Sequence, residues 1–187
     1  IRIGVIGIMG QDAVSAIIPS FIAPLDVRKP VDAVQKSLDE LRDEVDLIVL
    51  LTHQGKTAPM QTDAESDPRL QRDIDADIAL AGAVKGIDVL FAGHADAGTP
   101  EPVVNPDTGT IIMQTYGQAT HLGYLQLTLD GKTGEITHYD GKLIPVDPTR
   151  WGPDKAIVDK LERYRSMYPE IMVTVGKTKA QMNRKYI

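Results

Sequence analysis

The hydrophobic pattern in the first part of the chain passes from a strand-like stretch to a helix-like one. The run Ile1–Ile8 is rich in β-branched residues and ends among glycines, which predicts a buried strand followed by a turn. Pro30 then opens a stretch that carries apolar residues at steps of three and four, as one face of a helix does. These apolar residues are Val31, Val34, Leu38 and Leu41.

A second strand and a second helix follow. The segment DLIVLLTHQG, between Asp46 and Gly55, is a continuous apolar run of strand length, which predicts a strand covered on both faces, with His53 just past its end. A polar loop over Thr57–Pro68 and a helix over Leu70–Val84 are predicted next. The segment IDVLFAGHAD then repeats the pattern of a strand followed by a histidine.

The pattern changes after Pro102. The turn sequences NPDTG and DGKTG separate extended stretches, and residues 124–129 alternate polar with apolar side chains, which predicts half-exposed antiparallel hairpins. A further helix is predicted near Asp154–Tyr168, before the polar tail KTKAQMNRKYI. This order predicts an α/β layered domain with a mixed sheet, parallel in its first half and antiparallel in its hairpins.

Composition excludes several classes of protein. The 187 residues are 42% hydrophobic, which is enough for a single core. The formal charge is −6, with no basic footprint for a nucleic-acid polymer, and no apolar run approaches the roughly 20 residues that span a bilayer. Zero cysteines exclude disulfides, zinc fingers and thiol nucleophiles. The absence of cysteine is compatible with both cytosol and periplasm.

Candidate chemistry lies where the predicted parallel strands end. His53 and His94 both follow such strands, and ligands of open α/β sheets collect outside the carboxyl ends of the strands. Imidazole nitrogen suits zinc, iron, copper and nickel, so the two histidines are candidate ligands of one metal site. Asp96, two residues after His94, is a candidate carboxylate ligand in a tight turn that Gly93 would allow.

Other catalytic motifs are absent from the sequence. The GKT triplets lack the earlier glycine of a phosphate-binding loop, and the glycines of IRIGVIGIMG do not have the G-x-G-x-x-G spacing, although a nucleotide-cofactor enzyme stays an open alternative. Neither G-x-S-x-G nor H-E-x-x-H occurs. His121 and His138 have no ligand-like neighbours in sequence, and we interpret both as ordinary strand residues. Metal-assisted hydrolysis is the chemistry that remains.

Five segments occur in the order IRIGVIGI, VDLIVLLTHQGK, IDVLFAGHAD, TGTIIMQTYGQATHLGYLQLTLD and VTVGKTKAQMNRKYI. Together they resemble 5′-nucleotidases and related calcineurin-like metallophosphoesterases. The resemblance implies a partial α/β/β/α sandwich in which residues 1–147 form the C-terminal half of the metallophosphoesterase domain. Residues 148–187 would be a helix and linker toward a C-terminal nucleotide-binding domain that the sequence lacks.

The same resemblance implies two divalent metal ions, zinc, manganese or similar. His53 and His94 would bind one ion, and Asp96 takes the position that contributes to the other, where the family more often has His or Gln. The family's D-x-H, G-D and G-N-H-(D/E) blocks do not occur in this sequence. Catalytic residues are therefore expected in an N-terminal half of the domain that lies outside this chain. We expect this chain to be inactive alone.

The expected function is hydrolysis of phosphoesters by a water that two metals activate. Nucleotides are the expected substrates, in the manner of a 5′-nucleotidase or a 2′,3′-cyclic phosphodiesterase, with a periplasmic or extracellular location. The expected partners are the small substrate and the missing N-terminal half, with no nucleic-acid polymer and no membrane span. Two alternatives stay open: a sulfate-ester or thiosulfonate hydrolase of the same family, and a non-catalytic binding or structural protein that keeps the fold without metals.

Overall fold

The structure is a computed structural model that describes residues 1–58, 71–177 and 179. Its strands, numbered in chain order, are β1 Ile3–Met9, β2 Leu47–His53, β3 Lys56–Ala58, β4 Gln71–Asp73, β5 Val89–Ala92, β6 Val103–Val104, β7 Ile111–Gln114, β8 His121–Leu129 and β9 Ile136–Pro145. Its α-helices are α1 Gln11–Ser15, α2 Pro19–Ile22, α3 Pro30–Leu41, α4 Asp75–Ala83 and α5 Lys155–Met167. Short 3-10 turns occupy Arg42–Glu44 and Pro169–Met172.

A five-stranded sheet with the order β1-β2-β5-β7-β6 forms the centre of the fold. The strands β1, β2, β5 and β7 are parallel, and β6 pairs antiparallel with β7. The inner strands are continuous apolar runs because both of their faces are covered. Leu50, Leu90 and Ile112 are completely buried on three neighbouring strands. This confirms the parallel first half that the sequence predicted.

Helices α3 and α4 cover one face of this sheet. Val34 and Leu38 of α3 are buried in the same apolar cluster as Leu80 and Ala81 of α4. Full burial of one such large apolar side chain contributes roughly 1.5–3 kcal/mol. Helix α3 begins at Pro30 as predicted. Its residue Val31 is exposed, so the buried face of α3 is narrower than the sequence pattern indicated.

The antiparallel hairpin of β8 and β9 covers part of the opposite face. Burial alternates along β8, as predicted for a half-exposed strand. Gly141 of β9 lies directly against the central sheet, because a Cβ there would meet the Pro102 ring and would lie 3.0 Å from Met113 Sδ. The layers therefore run helix, sheet, sheet, which is the mixed α/β sandwich expected from the sequence.

The hairpin leaves an apolar area near β1 uncovered. β1 is an edge strand of the central sheet, and Ile3 and Val5 are 56% and 57% exposed. Met9 is exposed on the same face of β1. Leu51 of β2, which is paired with Gly7 of β1, is exposed as well. Contiguous exposed apolar side chains of this kind are typical of interaction surfaces.

The predicted helix over Leu70–Val84 is wrong in its first turns. The helix is Asp75–Ala83, and Gln71–Asp73 is instead a strand that pairs antiparallel with Lys56–Ala58. Backbone hydrogen bonds between these two short strands satisfy their polar groups, so the helix begins only at Asp75. Leu70, like most of the predicted loop over Thr57–Pro68, lies outside the described residues.

The predicted antiparallel hairpin across NPDTG is confirmed, because β6 pairs antiparallel with β7, but the predicted half exposure is wrong for β7. All four residues of Ile111–Gln114 are buried, and the strand runs parallel to β5 in the central sheet. The reason is that β7 lies between the helix layer and the hairpin, so neither of its faces reaches water. The predicted helix near the end of the chain is confirmed, since α5 begins after Asp154, whose carboxylate accepts a hydrogen bond from Ile157 N at 3.0 Å.

Candidate metal site at the carboxyl edge of the sheet

The loops after β2, β5 and β7 meet at one edge of the central sheet. His53 is the last residue of β2 rather than the first residue beyond it, and its carbonyl oxygen accepts a hydrogen bond from Gly10 N at 3.0 Å. An isolated parallel bridge joins Gln54 to His94 just past the two strands. This bridge continues the β2–β5 pairing and places the two histidine loops side by side.

The side chains of His53 and His94 are neighbours in space. Their ring centroids lie 4.8 Å apart, with an angle of 60° between the ring planes. Gly93 permits this approach, because a Cβ there would lie 3.2 Å from Thr52 O and 3.5 Å from His53 Nδ1. His53 is exposed and His94 half-buried, so the pair opens toward solvent at the edge of the sheet.

Backbone strain concentrates in the loops after β5 and β7. Among the described residues, the non-glycine residues with positive φ are His94 (77°), Asp96 (55°), Gln118 (63°) and Ala119 (55°). Such conformations are uncommon for residues with a Cβ and cluster at functional sites. We expected Gly93 to make the turn, but its φ is not positive, and the strain falls on the candidate ligands His94 and Asp96 themselves.

Asp96 lies beside the loop that follows β7. A Cβ at Gly117 would collide with the Asp96 carboxylate, so the absence of a side chain at Gly117 makes room for that group. Asp96 also lines a cleft of about 460 Å³. The other residues that line this cleft are Arg72, Tyr116, Gly117, Gln118, Thr120 and His121.

Behind His53, a buried polar pair supports the end of β2. The Thr52 hydroxyl donates a hydrogen bond to Asp77 Oδ1 at 2.6 Å, and both residues are buried. Burial raises the pKa of the Asp77 carboxyl above its usual value of 3.8, and hydrogen bonds from Thr52 and Gln54 lower the pKa by less than burial raises it. Gln54 in turn donates a hydrogen bond from Nε2 to Ala76 O at 3.2 Å. These bonds tie the His53 loop to the start of α4.

The structure brings together part of the predicted ligand set. His53 and His94 are adjacent, and Asp96 lies nearby against Gly117. Within residues 1–58 and 71–177, no three His, Cys, Asp or Glu side chains are grouped closely enough to hold a metal ion. The two imidazoles fit the chemistry of a zinc-type ion, and the described residues do not complete its ligand set. Ligation by His53, His94 and Asp96 stays a prediction.

Two features of this edge were missed in the sequence. We interpreted His121 as an ordinary strand residue. It is the first residue of β8, as expected, but it lines the same cleft as Asp96. Asp77 was not singled out, although a charged residue on the apolar side of a predicted helix is a signal for a buried polar role. His138 lies on β9, outside the cleft.

Comparisons with known proteins confirm the resemblance seen in the sequence. No protein-family model matches the chain. Endonuclease YhcR of Bacillus subtilis (strain 168) is 25% identical over 189 residues, an alignment that covers 100% of this chain and 14% of that protein. The 5′-nucleotidase of Vibrio cholerae serotype O1 (strain ATCC 39315 / El Tor Inaba N16961) is 26% identical over 166 residues, covering 79% of this chain and 28% of that protein.

A solved structure confirms the fold class. The 5′-nucleotidase precursor from Thermus thermophilus superposes with a TM-score of 0.69 and 23% sequence identity, over 93% of this chain and 33% of that one. The chain thus spans between 14% and 33% of the length of these similar proteins. In the described residues, no helix is both long enough and apolar enough to cross a bilayer.

Proposed function

We propose that this chain takes part in metal-dependent hydrolysis of phosphoesters, with nucleotides as substrates of the 5′-nucleotidase or 2′,3′-cyclic phosphodiesterase type. The observation that carries the proposal is the His53–His94 pair, whose ring centroids lie 4.8 Å apart where two parallel strands end. That edge is where open α/β sheets bind ligands. The similarity to proteins named 5′-nucleotidase supports the same reaction class.

The chain's own residues supply part of a two-metal site. His53 and His94 would hold one divalent ion through neutral imidazole nitrogens, and Asp96 would contribute to the second ion through a carboxylate oxygen. When bound, such a metal pair supplies a water of lowered pKa and neutralises charge on the phosphoryl oxygens. Gly117 leaves room for the Asp96 carboxylate, and the Thr52–Asp77 hydrogen bond ties the end of β2, which carries His53, to α4. The remaining ligands and the catalytic residues would come from another part of the protein.

We propose the N-terminal half of the same domain as the source of those residues. The exposed apolar face formed by Ile3, Val5, Met9 and Leu51 supports this, because it lies on the edge strand of a sheet that continues toward the candidate site. Residues 1–147 would be the C-terminal half of the domain, and 148–187 a helix and linker toward a nucleotide-binding domain. This chain alone would be inactive, and the whole protein would act on nucleotides in the periplasm or outside the cell.

Replacement of His94 in the full-length protein tests the proposal. We expect His94→Ala to lower turnover of a nucleotide monophosphate by about 100-fold or more while the circular dichroism spectrum is unchanged, because a lost metal ligand disables the bound water. His138→Ala, which removes a histidine from the exposed part of β9, is the matched control and should keep wild-type turnover. Unchanged turnover in His94→Ala would remove His94 from the site.

A panel of substrates separates this proposal from its alternatives. The similarity to an endonuclease covers the whole chain and favours nucleic-acid phosphodiesters as a second candidate. The excess of 26 acidic over 20 basic residues opposes it, because a polyanion needs a basic surface. Cleavage of nucleotides without nicking of plasmid DNA supports the nucleotide proposal. Hydrolysis of sulfate esters or thiosulfonates alone would move the protein to another substrate class, and no hydrolysis with no bound metal would favour the non-catalytic alternative.

A further inference from the structure

The turn after β5 is strained and has to be held in place by its surroundings. Residues 94–99, the ligand turn, include the candidate ligands His94 and Asp96. Both of these residues have positive φ, 77° and 55°. Such backbone conformations persist only where the surrounding structure over-determines them. The contacts that hold the ligand turn therefore also decide where its side chains stand.

Gln114, the last residue of β7, holds the ligand turn at two of its residues. The side-chain Oε1 of Gln114 accepts a hydrogen bond from Ala97 N at 3.2 Å, and its carbonyl oxygen accepts one from Thr99 N at 2.9 Å. Gln114 N in turn donates a hydrogen bond to Thr99 Oγ1 at 3.0 Å. Gln114 and Thr99 are only 2% and 7% exposed, so water does not compete for these bonds. The backbone that follows Asp96 is thus fixed to the end of β7.

The other end of the Gln114 amide has no partner. Among the residues that the structure describes, none accepts a hydrogen bond from the buried Gln114 Nε2. The amide cannot be turned around, because only its carbonyl oxygen can accept the hydrogen bond from Ala97 N. A buried donor without a partner lowers the stability of the folded state. An apolar side chain would avoid this loss but would leave Ala97 N without its acceptor. What the amide secures is therefore the position of Ala97 in the ligand turn.

We propose that Gln114 is a positioning residue for the metal site and that it sets the place of the Asp96 carboxylate through the Ala97 amide. Asp96 directly precedes Ala97, so the bond to Gln114 Oε1 fixes the peptide group that joins the two residues. Gly117 leaves room for the carboxylate on its other side. The assignment rests on the proposed function, in which Asp96 contributes to one of two ions. Gln114 acts through the ligand turn and takes no part in the chemical step.

Calorimetric titration of the metal-free full-length protein with Mn²⁺, an ion that carboxylate oxygen suits, tests this assignment. Gln114→Leu removes the acceptor of the Ala97 N–H, so the Asp96 carboxylate loses its fixed place. We expect this variant to bind one Mn²⁺ about 10- to 100-fold more weakly than wild type, and to bind the other with wild-type affinity.

Thr110→Val is the matched control for a lost hydrogen bond. Thr110 is completely buried just before β7, at the end of that strand away from the ligand turn, and its hydroxyl donates to Ile87 O at 2.8 Å. Its replacement removes a buried side-chain hydrogen bond, as Gln114→Leu does, and should leave both Mn²⁺ affinities unchanged. Amide hydrogen exchange of the metal-free proteins gives a second readout. The Ala97 amide should exchange about tenfold faster in Gln114→Leu than in wild type, and at the wild-type rate in Thr110→Val.

The possible outcomes separate this inference from the proposed function. Wild-type affinity for both ions in Gln114→Leu overturns the positioning role and leaves the hydrolase proposal standing. An equal fall for both ions, or the same fall in Thr110→Val, also overturns it, because Gln114 would then act only through the stability of the fold. A wild-type protein that binds neither ion contradicts the proposed function itself, and the positioning role with it. If Gln114→Leu does not fold, Thr99→Val, which removes the acceptor of the Gln114 N–H, should weaken the same single ion. Unchanged affinities in Thr99→Val would then contradict the assignment.

Discussion

The hydroxyl of Thr52 donates a hydrogen bond to Asp77 Oδ1 at 2.6 Å in a fully enclosed position. Thr52 immediately precedes His53 on β2, and Asp77 lies in the first turn of α4. The bond therefore connects a strand that ends in a candidate metal ligand to the helix layer behind it. A buried carboxylate is costly unless it is hydrogen-bonded, which makes this pair a sensitive point in the fold.

Asp77→Asn should make stability less dependent on pH. Burial raises the pKa of Asp77, so the folded protein binds this proton more tightly than the unfolded chain does. Above the pKa of Asp77 in the folded protein, the ionised carboxylate lowers the free energy of unfolding. This loss of stability disappears as the pH falls through that pKa toward 3.8, the usual value. We expect Asp77→Asn to be more stable than wild type near neutral pH, with a difference that shrinks in acid.

Denaturant unfolding of the full-length protein between about pH 4 and pH 8 measures this difference. Asp140→Asn, at an exposed position on β9, is the control and should follow the wild-type profile. A stability difference that grows as the pH falls would show that burial does not raise the pKa of Asp77.

Gly117→Ala should displace Asp96. The added Cβ would collide with the Asp96 carboxylate, which then has to leave its present position. If Asp96 contributes to metal binding, we expect metal affinity to fall by about 10- to 100-fold, as for other changes that misalign a ligand. Metal titration of the full-length protein gives the affinity. Gly131→Ala, where a Cβ would meet nothing within 4 Å, should bind metal like wild type. Equal affinities in the two variants would separate Asp96 from the metal.

Leu90→Ala should destabilise the central sheet. Leu90 is completely buried on β5, between the helix layer and neighbouring strands, so its truncation leaves a cavity. We expect a loss of about 2–5 kcal/mol in the free energy of unfolding, measured by denaturant titration. Leu122→Ala removes the same atoms from a side chain that is 61% exposed and should change stability by less than about 0.5 kcal/mol. Similar losses in both variants would contradict this account of the core.

The parts of the fold that the sequence predicted well are those where burial alone decides the structure. Continuous apolar runs marked β2 and β5, and steps of three and four marked α3, because these elements bury one face or both faces against the core. The strand Gln71–Asp73 was missed because its three residues are polar and show no alternation, and its partner strand is far from it in sequence. The hairpin of β6 and β7 was predicted from its turn sequence, but the full burial of β7 was missed, because it depends on the parallel pairing of β7 with β5.

The candidate site was predicted only as far as strand ends could be located. His53 and His94 were found because each follows an apolar run, and parallel strands bring their carboxyl ends to one edge. The position of Tyr116 and His121 in one cleft with Asp96 depends on β7 lying next to β5 and on β8 returning over the sheet, neither of which follows from residue spacing. The strain at Asp96 and Gln118 is likewise a property of the folded loops.

Metal content is the measurement that tests the central claim most directly. Elemental analysis of the full-length protein, with and without His53→Ala, should be made alongside its phosphoesterase activity. We expect about two divalent ions per wild-type molecule, and a loss of bound metal together with activity in His53→Ala, while His138→Ala retains both. Full metal content and full activity in His53→Ala, or no bound metal in an active wild-type protein, would contradict it.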